Sequence, residues 1–348
     1  MNKALIVSPY LDHLGGGERY ILTLASVLET LNYEITFAWD NLEEITTHAK
    51  MLGISLKHPT LDPVVMVLYH ASNPLKMYLE TQKYDLTVYL SDGSLPLLGS
   101  KRNLIHMQVP FHNVGGKSLK NQIKKLFCHK IIVNSNFTKS IVDKEYGVNS
   151  TVLYPPTPLL KTNVQKENII LSVGRFEPSL NIKKQDILIS AFKKLSDQEP
   201  SWRLILAGAS SSDKYLENLR ELAVGYPIEF ALNISYEKMV SLYSRSAIYW
   251  HAAGYGVDQE KNPELTEHFG ISTVEAISSG CVPLVVGKGG QVEIIDNSEL
   301  YWGSCEELIE KTKKLINLPN RQNLIKGIDL SSFSHSTFCD QLTAIINQ

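Results

Sequence analysis

The chain alternates between short apolar runs and longer stretches in which apolar residues recur every three or four positions. The short runs predict strands, and the periodic stretches predict amphipathic helices. In the first half, the predicted strands are 3–8, 34–38, 85–90, 103–107 and 130–134. The helical patterns between them include 17–31, 118–127 and 137–145. This alternation favours a parallel sheet with helices on both faces.

The same pattern restarts after the turn-rich segment 154–158, which reads Tyr-Pro-Pro-Thr-Pro. The strands predicted in the second half are 168–173, 202–207, 228–231, 247–250 and 282–286. The predicted helices are 183–196, 213–224, 235–245, 271–279 and 305–317. We therefore expect two doubly wound α/β domains with a linker at 155–158 and a ligand site in the cleft between them.

The length of 348 residues also suits two domains rather than one. We expect a first domain at 1–154, a second at 155–330, and a C-terminal segment at 331–348. Apolar residues share one side of 336–347, so this last helix should pack back onto the first domain.

Composition narrows the classes of function. The net charge of -2 gives no indication of nucleic-acid binding. The four cysteines lack C-x-x-C pairing, so they predict neither a zinc site nor a disulfide framework, and they suit a reducing compartment. The N-terminus leads directly into a predicted strand, with too short an apolar run for a signal peptide or a membrane span. We therefore expect a cytoplasmic protein.

Segment 117–130 is a basic amphipathic pattern with five lysines and no acidic residue. Leu119, Ile123, Leu126 and Phe127 are interleaved with the lysines. One interpretation is a solvated helix whose apolar face packs on its own sheet. The other is peripheral attachment to the anionic cytoplasmic face of a membrane. The sequence leaves both open.

The most informative stretch for chemistry is 267–275, which begins and ends with a glutamate. Between Glu267 and Glu275 stands the aromatic-glycine pair Phe269-Gly270, followed by a predicted helix from Ile271. A helix N-terminus offers unpaired N–H groups to an anion such as a diphosphate, and glycine allows close approach of a ligand. The two carboxylates can bind ribose and sugar hydroxyls. The pattern indicates a nucleotide-sugar site.

Basic residues follow the first strand of the second half. Gly174 permits a sharp turn there, and Arg175 supplies planar donors suited to phosphate oxygens. Lys183 and Lys184 precede a predicted helix, where cations are unfavourable unless an anion is bound. We expect one of these two lysines to bind phosphate. A further glycine turn at 289–290 leads to Glu293, which we expect to brace the loop.

The first domain carries weaker signals. Gly15, Gly16 and Gly17 open a helix after the first strand, and this loop allows backbone to approach a diphosphate or an acceptor. A nicotinamide-binding fingerprint is an alternative, with Asp40 as the ribose-binding acid, but Tyr20 occupies the third glycine position.

Histidines supply the other site candidates. His106 ends a predicted strand and can bind a hydroxyl or accept a proton. His112 and His251 are alternatives for this role.

Taken together, these motifs resemble the retaining glycosyltransferases of the GT-B fold, glycosyltransferase family 4. The resemblance runs nearly end to end. It is carried by Gly15-Gly16-Gly17, Tyr154-Pro155-Pro156, Gly174-Arg175 with Lys183, Glu267 to Glu275, and Gly289-Gly290 with Glu293. The block 250–270 is similar to the branch of mannosyltransferases that extend lipid-linked oligosaccharides. The resemblance implies two Rossmann-like domains facing a cleft, an acceptor-binding N-terminal domain and a nucleotide-sugar-binding C-terminal domain.

The resemblance also implies residue roles. The donor diphosphate is bound by Arg175 and Lys183. The donor sugar is contacted by Glu267, and His106 lies near the donor sugar and the acceptor. Gly270 and Ile271 present backbone amides to sugar or phosphate. The ribose hydroxyls are bound by Glu275. The full predicted donor-binding set is Gly16, Gly17, Gly174, Lys184, Phe269, Gly270, Ile271 and Glu275.

The predicted activity is transfer of a hexose, with retention, to a glycan or lipid-linked acceptor in surface polysaccharide or glycoconjugate synthesis. Mannose from GDP-mannose is the favoured donor, and UDP-glucose or UDP-N-acetylglucosamine is the alternative. The chain lacks a D-x-D triplet, so we expect no metal and no cofactor besides the donor. Two other classes remain as alternatives: a nicotinamide-dependent oxidoreductase and a non-catalytic glycosyltransferase-like partner protein.

Overall fold

The structure is a computed structural model that describes residues 2–12, 15–160, 164–177, 183–210 and 213–348. It divides into two compact units. Unit 1 comprises Met1–Pro156 and His335–Gln348, and unit 2 comprises Thr157–Ser334.

Unit 1 is built on a parallel seven-stranded sheet. Its strands are β1 Asn2–Val7, β2 Tyr33–Phe37, β3 Thr60–Leu61, β4 Leu86–Leu90, β5 Arg102–Met107, β6 Lys130–Val133 and β7 Thr151–Val152. They lie in the order β3-β2-β1-β4-β5-β6-β7. Its first helices are α1 Gly16–Thr30, α2 Leu42–Met51, α3 Pro63–His70, α4 Pro74–Thr81, α5 Leu119–Lys125 and α6 Asn136–Tyr146.

Helices cover both faces of this sheet, as strand alternation requires. Along β4, Val88 and Leu90 belong to one buried cluster, whereas Tyr89 between them belongs to the cluster on the other face. Successive side chains of a strand point to opposite faces, so a strand buried on both sides reads as a continuous apolar run. That is why β4 was predictable from its sequence.

Unit 2 is built on a second parallel sheet. Its strands are β8 Glu167–Val173, β9 Arg203–Gly208, β10 Ile228–Leu232, β11 Ser246–His251 and β12 Val282–Val285, in the order β10-β9-β8-β11-β12. Its helices are α7 Gln185–Ser196, α8 Asp213–Ala223, α9 Tyr236–Arg245, α10 Ile271–Ser278, α11 Gln291–Ile294 and α12 Cys305–Asn317. The strand order reverses at β8, which lies between β9 and β11. Ligands of doubly wound sheets bind at the carboxyl ends of the strands beside such a reversal.

The C-terminal helix α13, His335–Asn347, packs into unit 1 as predicted. Phe338, Leu342, Ile345 and Ile346 belong to the same buried cluster as residues of β1, β4 and α1. The ring of Phe338 meets Tyr20 of α1 edge-on at 5.3 Å. Burial of its apolar side therefore ties the end of the chain to the first domain.

Several short elements were absent from the sequence-based prediction. β3 and β7 are two residues each, too short to show alternation. α3 is apolar nearly all round, so it lacks the amphipathic period that marks a helix. α3 and α4 each begin with a proline after a capping residue, Asp62 and Asn73, whose side chain accepts a backbone N–H of the first turn.

Candidate functional site

The predicted site residues of unit 2 converge at the carboxyl ends of β8 and β11. Gly174 and Arg175 directly follow β8, and His251 is the last residue of β11. Because β8 and β11 are neighbours, these residues lie at the point where the strand order reverses. Gly174 also lies against Lys183, since a Cβ at position 174 would stand 2.6 Å from Lys183 Cγ.

A buried ion pair joins this edge to the loop before α10. Lys183 Nζ donates to Glu267 Oε2 at 2.6 Å. His251 Nε2 lies 2.9 Å from the same oxygen. The side chains of Lys183, Glu267 and His251 are 17%, 10% and 2% exposed. The structure thus brings Lys183 and Glu267 together and adds His251, which the sequence offered only as a third histidine.

The charges of this cluster follow from its surroundings. Burial by itself raises the pKa of Glu267, but the positive charge of Lys183 and the contact with His251 outweigh it and hold the pKa well below the usual range. Burial lowers the pKa of His251, opposed in part by Glu267. At neutral pH the cluster therefore holds an ionised carboxylate beside a neutral imidazole.

The loop carrying Glu267 is fixed by the glycine turn after β12. The Gly290 N–H donates to the Glu267 carbonyl at 2.7 Å. Gly289 packs so closely against that carbonyl that a side chain at 289 would collide with it. The glycine turn thus holds the Glu267 backbone in place. That Glu293 braces this turn stays a prediction. Gly270 has a φ of 117°, a conformation that favours glycine and turns the chain into α10.

The side chain of Phe269 fixes the loop before α10 by packing into the core of unit 2. Its ring is 2% exposed and meets Phe333 edge-on at 5.1 Å. The side chain of Phe269 therefore belongs to the core, and only its backbone is placed to contact a ligand. Phe269 was predicted as a donor-binding residue, and this burial limits that prediction to its backbone N–H and carbonyl groups.

Helix α10 begins at Ile271, and its N-cap Gly270 has no side chain to satisfy the first N–H groups. Such an end is suited to an anion. Glu275 lies one turn into the helix, 6% exposed, and its Oε2 accepts a hydrogen bond from the Tyr243 hydroxyl at 3.0 Å. The Tyr249 hydroxyl donates to Ser272 Oγ at 2.8 Å, also in the first turn.

Sequence reasoning missed the two tyrosines that support this helix. Burial raises the pKa of Tyr249, and Glu267 and Glu275 raise it further, so this ring lies within the field of both carboxylates. The signal was available, since Tyr243 lies in the last turn of α9 and Tyr249 lies within β11 beside the site edge. Inside apolar runs, however, both tyrosines read as ordinary core residues.

Arg175 and the two lysines occupy different environments. Gln185 Nε2 donates to the Arg175 carbonyl at 2.9 Å, which joins the turn after β8 to the first turn of α7. Across the described ranges, no hydrogen-bond or ion-pair partner holds the Arg175 guanidinium. Lys184 is the N-cap of α7, with a φ of 54°. Lys183, not Lys184, reaches Glu267, which favours Lys183 for the predicted phosphate contact.

In unit 1 the glycine loop lies at the carboxyl edge of the sheet. Gly16 is the exposed first residue of α1, and Gly17 faces Gln108 after β5, with no room for a side chain between them. This placement allows backbone contact with a ligand.

His106 differs from its prediction. It is 0% exposed and stacks on Tyr20 with ring centroids 4.1 Å apart. The imidazole is enclosed in the core of unit 1, so this conformation offers it to no substrate, and its predicted catalytic role needs correction. A histidine at a strand end can face either way, and the sequence does not decide which. His112, the alternative, is partly exposed in the loop after β5.

The burial of His106 predicts a pH-dependent stability. Burial lowers its pKa to about 3. The unfolded chain binds this proton near pH 6.5, so stability is full above that value and falls by about 1.4 kcal/mol per pH unit as the pH drops toward 3. We expect His106→Phe to remove this slope. Urea unfolding at matched pH values measures it, and the exposed His58→Gln is the control. A slope unchanged in His106→Phe would contradict the assignment.

Comparison with known proteins bears on this site. Residues 161–328 match the family model described as "Glycosyl transferases group 1". A "GDP-Man:Man(3)GlcNAc(2)-PP-Dol alpha-1,2-mannosyltransferase" of Xenopus laevis is 29% identical over 46% of this chain and 34% of its own length. The match thus spans about a third of that relative. "Alpha-1,3/1,6-mannosyltransferase ALG2" of Kluyveromyces lactis is 24% identical over 85% of this chain and 72% of its own length.

The fold has solved counterparts. The structure of Anabaena Alr3699/HepE in complex with UDP and glucose superimposes with a TM-score of 0.74 at 18% identity, covering 100% of both chains. The two parallel-sheet units and this superposition show the GT-B fold. The match to the group 1 glycosyltransferase model is confined to residues 161–328, and the GT-B fold extends over the whole chain.

Within the ranges given above, no helix is long and apolar enough to cross a bilayer.

Proposed function

We propose that this protein is a retaining glycosyltransferase that moves mannose from GDP-mannose to a lipid-linked glycan. The observation that carries the proposal is the buried Lys183–Glu267 pair, 2.6 Å long, beside the open N-terminus of α10. A nucleotide sugar needs positive charge for its diphosphate and a carboxylate near its sugar. The names of the mannosyltransferase relatives supply the choice of GDP-mannose and of a lipid-linked acceptor.

In this mechanism the bond between the sugar C1 and the donor phosphate oxygen breaks, and C1 bonds to an acceptor hydroxyl oxygen. Negative charge develops on the departing diphosphate. Arg175, Lys183 and the α10 N-terminus stabilise that charge through preorganised donors. Glu267 remains ionised because its pKa is held low, and it stabilises the positive charge that develops on the sugar.

The acceptor proton passes to a donor phosphate oxygen, and attack from the face of the leaving group retains the configuration at C1. His106 is absent from these steps because it is enclosed in the core. Glu275 binds the ribose hydroxyls. Their hydrogen bonds to the carboxylate replace, or are added to, the hydrogen bond that Glu275 accepts from the Tyr243 hydroxyl.

The donor is tested by a thermal-shift titration with GDP, UDP, NAD and the corresponding sugar nucleotides. A ligand at 100 times its Kd stabilises the folded protein by about 2.7 kcal/mol, so GDP and GDP-mannose should raise Tm. Glu275→Gln keeps the shape of the side chain but loses charge-assisted hydrogen bonds to ribose. The Kd of this variant for GDP should therefore rise about tenfold. Glu237→Gln, on the exposed start of α9, is the matched control.

Each other outcome has a definite meaning. A shift with UDP-sugars alone would replace GDP-mannose by the UDP-glucose or UDP-N-acetylglucosamine alternative. A shift with NAD alone would contradict a glycosyltransferase and favour an oxidoreductase. Absence of any nucleotide shift would favour the non-catalytic partner.

We also propose that the protein is cytoplasmic and contacts a membrane peripherally through segment 117–130. The support is the composition of that segment and the lipid-linked acceptor named for the relatives.

A further inference from the structure

Helix α5 carries its apolar side chains outward. Leu119 is 77% exposed, Leu126 directly after the helix is 83% exposed, and Ile123 between them is also exposed. No residue of α5 is buried. The spacing of four and then three residues places these side chains on one face. The interpretation in which this apolar face packs on its own sheet is therefore wrong.

Most of the lysines of the same segment are turned toward unit 1. Lys124 Nζ donates to the Leu95 carbonyl, and Lys125 Nζ donates to the Tyr146 carbonyl at 2.7 Å. Lys130 Nζ bonds Gln348 Oε1 at 3.0 Å. Three of the five lysines are thus engaged within unit 1. Lys117 and Lys120 remain exposed, with no partner within the described ranges.

The apolar surface continues onto the two neighbouring helices. Leu75 and Leu79 of α4 are 70% and 62% exposed, and Val67 of α3 is exposed as well. α3 packs against α4, and Tyr78 of α4 meets Phe127 at the end of α5 edge-on at 5.7 Å. We call this surface the α3–α4–α5 patch. Monomeric soluble proteins rarely expose so many large apolar side chains together.

The charges around the patch favour one occupant. Lys120 flanks it on α5, Lys117 just before that helix and Lys76 on α4, whereas the acidic Glu80 is paired with Lys83 at 3.3 Å. The free charge at its edge is therefore positive. A second copy of this chain, paired face to face about a twofold axis, would bring the same lysines together and be repelled. An anionic lipid surface complements both the lysines and the leucines.

We propose that the α3–α4–α5 patch docks on a lipid bilayer by inserting its leucine, isoleucine and valine side chains among the acyl chains. Lys117 and Lys120 then meet anionic headgroups. The choice of a bilayer rests on the proposed function, because a lipid-linked acceptor resides there. Insertion makes the contact with the bilayer mainly apolar, whereas adsorption through a face of five lysines would be electrostatic. Because salt screens only the charges, binding to the bilayer persists at high salt.

Sedimentation with phosphatidylcholine vesicles containing about one third phosphatidylglycerol tests this. Leu119→Ser/Leu126→Ser should weaken partitioning about 100-fold, since each leucine contributes about tenfold. Lys117→Gln/Lys120→Gln should weaken it about thirtyfold at low salt and scarcely at about 1 M salt. The matched control is Leu222→Ser/Val224→Ser, whose side chains are exposed on unit 2.

Three results would overturn the proposal. The first is unchanged partitioning of Leu119→Ser/Leu126→Ser. The second is complete release of the native protein at high salt, which would mean adsorption by charge alone. The third is a dimer in sedimentation velocity that the leucine variant abolishes, without vesicle binding. The thermal shift induced by the donor nucleotide is measured on the same variants and should be unchanged in them. Absence of that shift in the native protein would contradict the proposed function and leave the membrane docking of the patch to be judged by the vesicle assay.

Discussion

Replacing Lys183 by methionine is expected to lower turnover about 10³-fold and to destabilise unit 2. Lys183 is the cationic partner of Glu267, whose side chain is 10% exposed. Its removal takes away a donor for the leaving diphosphate and leaves a buried carboxylate without its ammonium. Breaking a buried pair on one side costs about 3–5 kcal/mol in the free energy of unfolding.

The double variant Lys183→Met/Glu267→Gln separates the two effects. With both charges removed, no carboxylate is left unpaired, so stability should largely return while turnover stays low. Transfer from GDP-mannose and urea unfolding at pH 8 measure the two quantities. The high pH is chosen because burial already lowers the pKa of His251 in the native protein, which disfavours a charged imidazole in place of the lysine. Native stability in Lys183→Met would contradict the buried pair, and recovery of turnover in the double variant would remove Lys183 from the mechanism.

Arg175→Ala is expected to lower turnover by about 10²–10³, the usual scale for losing one charge-stabilising donor. In contrast to Lys183, it should leave stability nearly unchanged. In the described ranges its guanidinium has no ion-pair partner, so the substitution leaves no carboxylate without its counter-charge. Arg175→Lys should recover only part of the rate, because an ammonium cannot make two parallel hydrogen bonds to a phosphate.

Arg203 is the control for Arg175. It lies on β9 of the same unit and pairs with Glu167 at 2.9 Å and Glu229 at 3.0 Å on the surface. Arg203→Ala should leave turnover unchanged and alter stability by under about 1 kcal/mol. Normal turnover in Arg175→Ala would contradict a contact between Arg175 and the donor phosphate. A loss in the free energy of unfolding as large as the loss in activation free energy would mean that Arg175 supports the structure instead.

The sequence predicted the long elements well, because burial imposes a period on them. β4 and β8 are apolar runs inside parallel sheets, and α7 shows a clear 3.6-residue face. Its first turn was predicted two residues early, since Lys183 and Lys184 precede a helix that begins at Gln185. α3 and the two-residue strands escaped, because an apolar or very short segment has no period to detect.

The sequence by itself also predicted a ligand chemistry, which stays a prediction. Glu267, Gly270 and Arg175 became candidates because a helix N-terminus, a glycine and paired carboxylates leave a local pattern. The directions in which side chains point were decided by the tertiary structure. Lys183 rather than Lys184 meets Glu267, His251 joins them, and His106 turns into the core. The apolar side of α5 faces outward. Residue spacing fixes which side chains share a face, but only packing against the rest of the chain decides what that face meets.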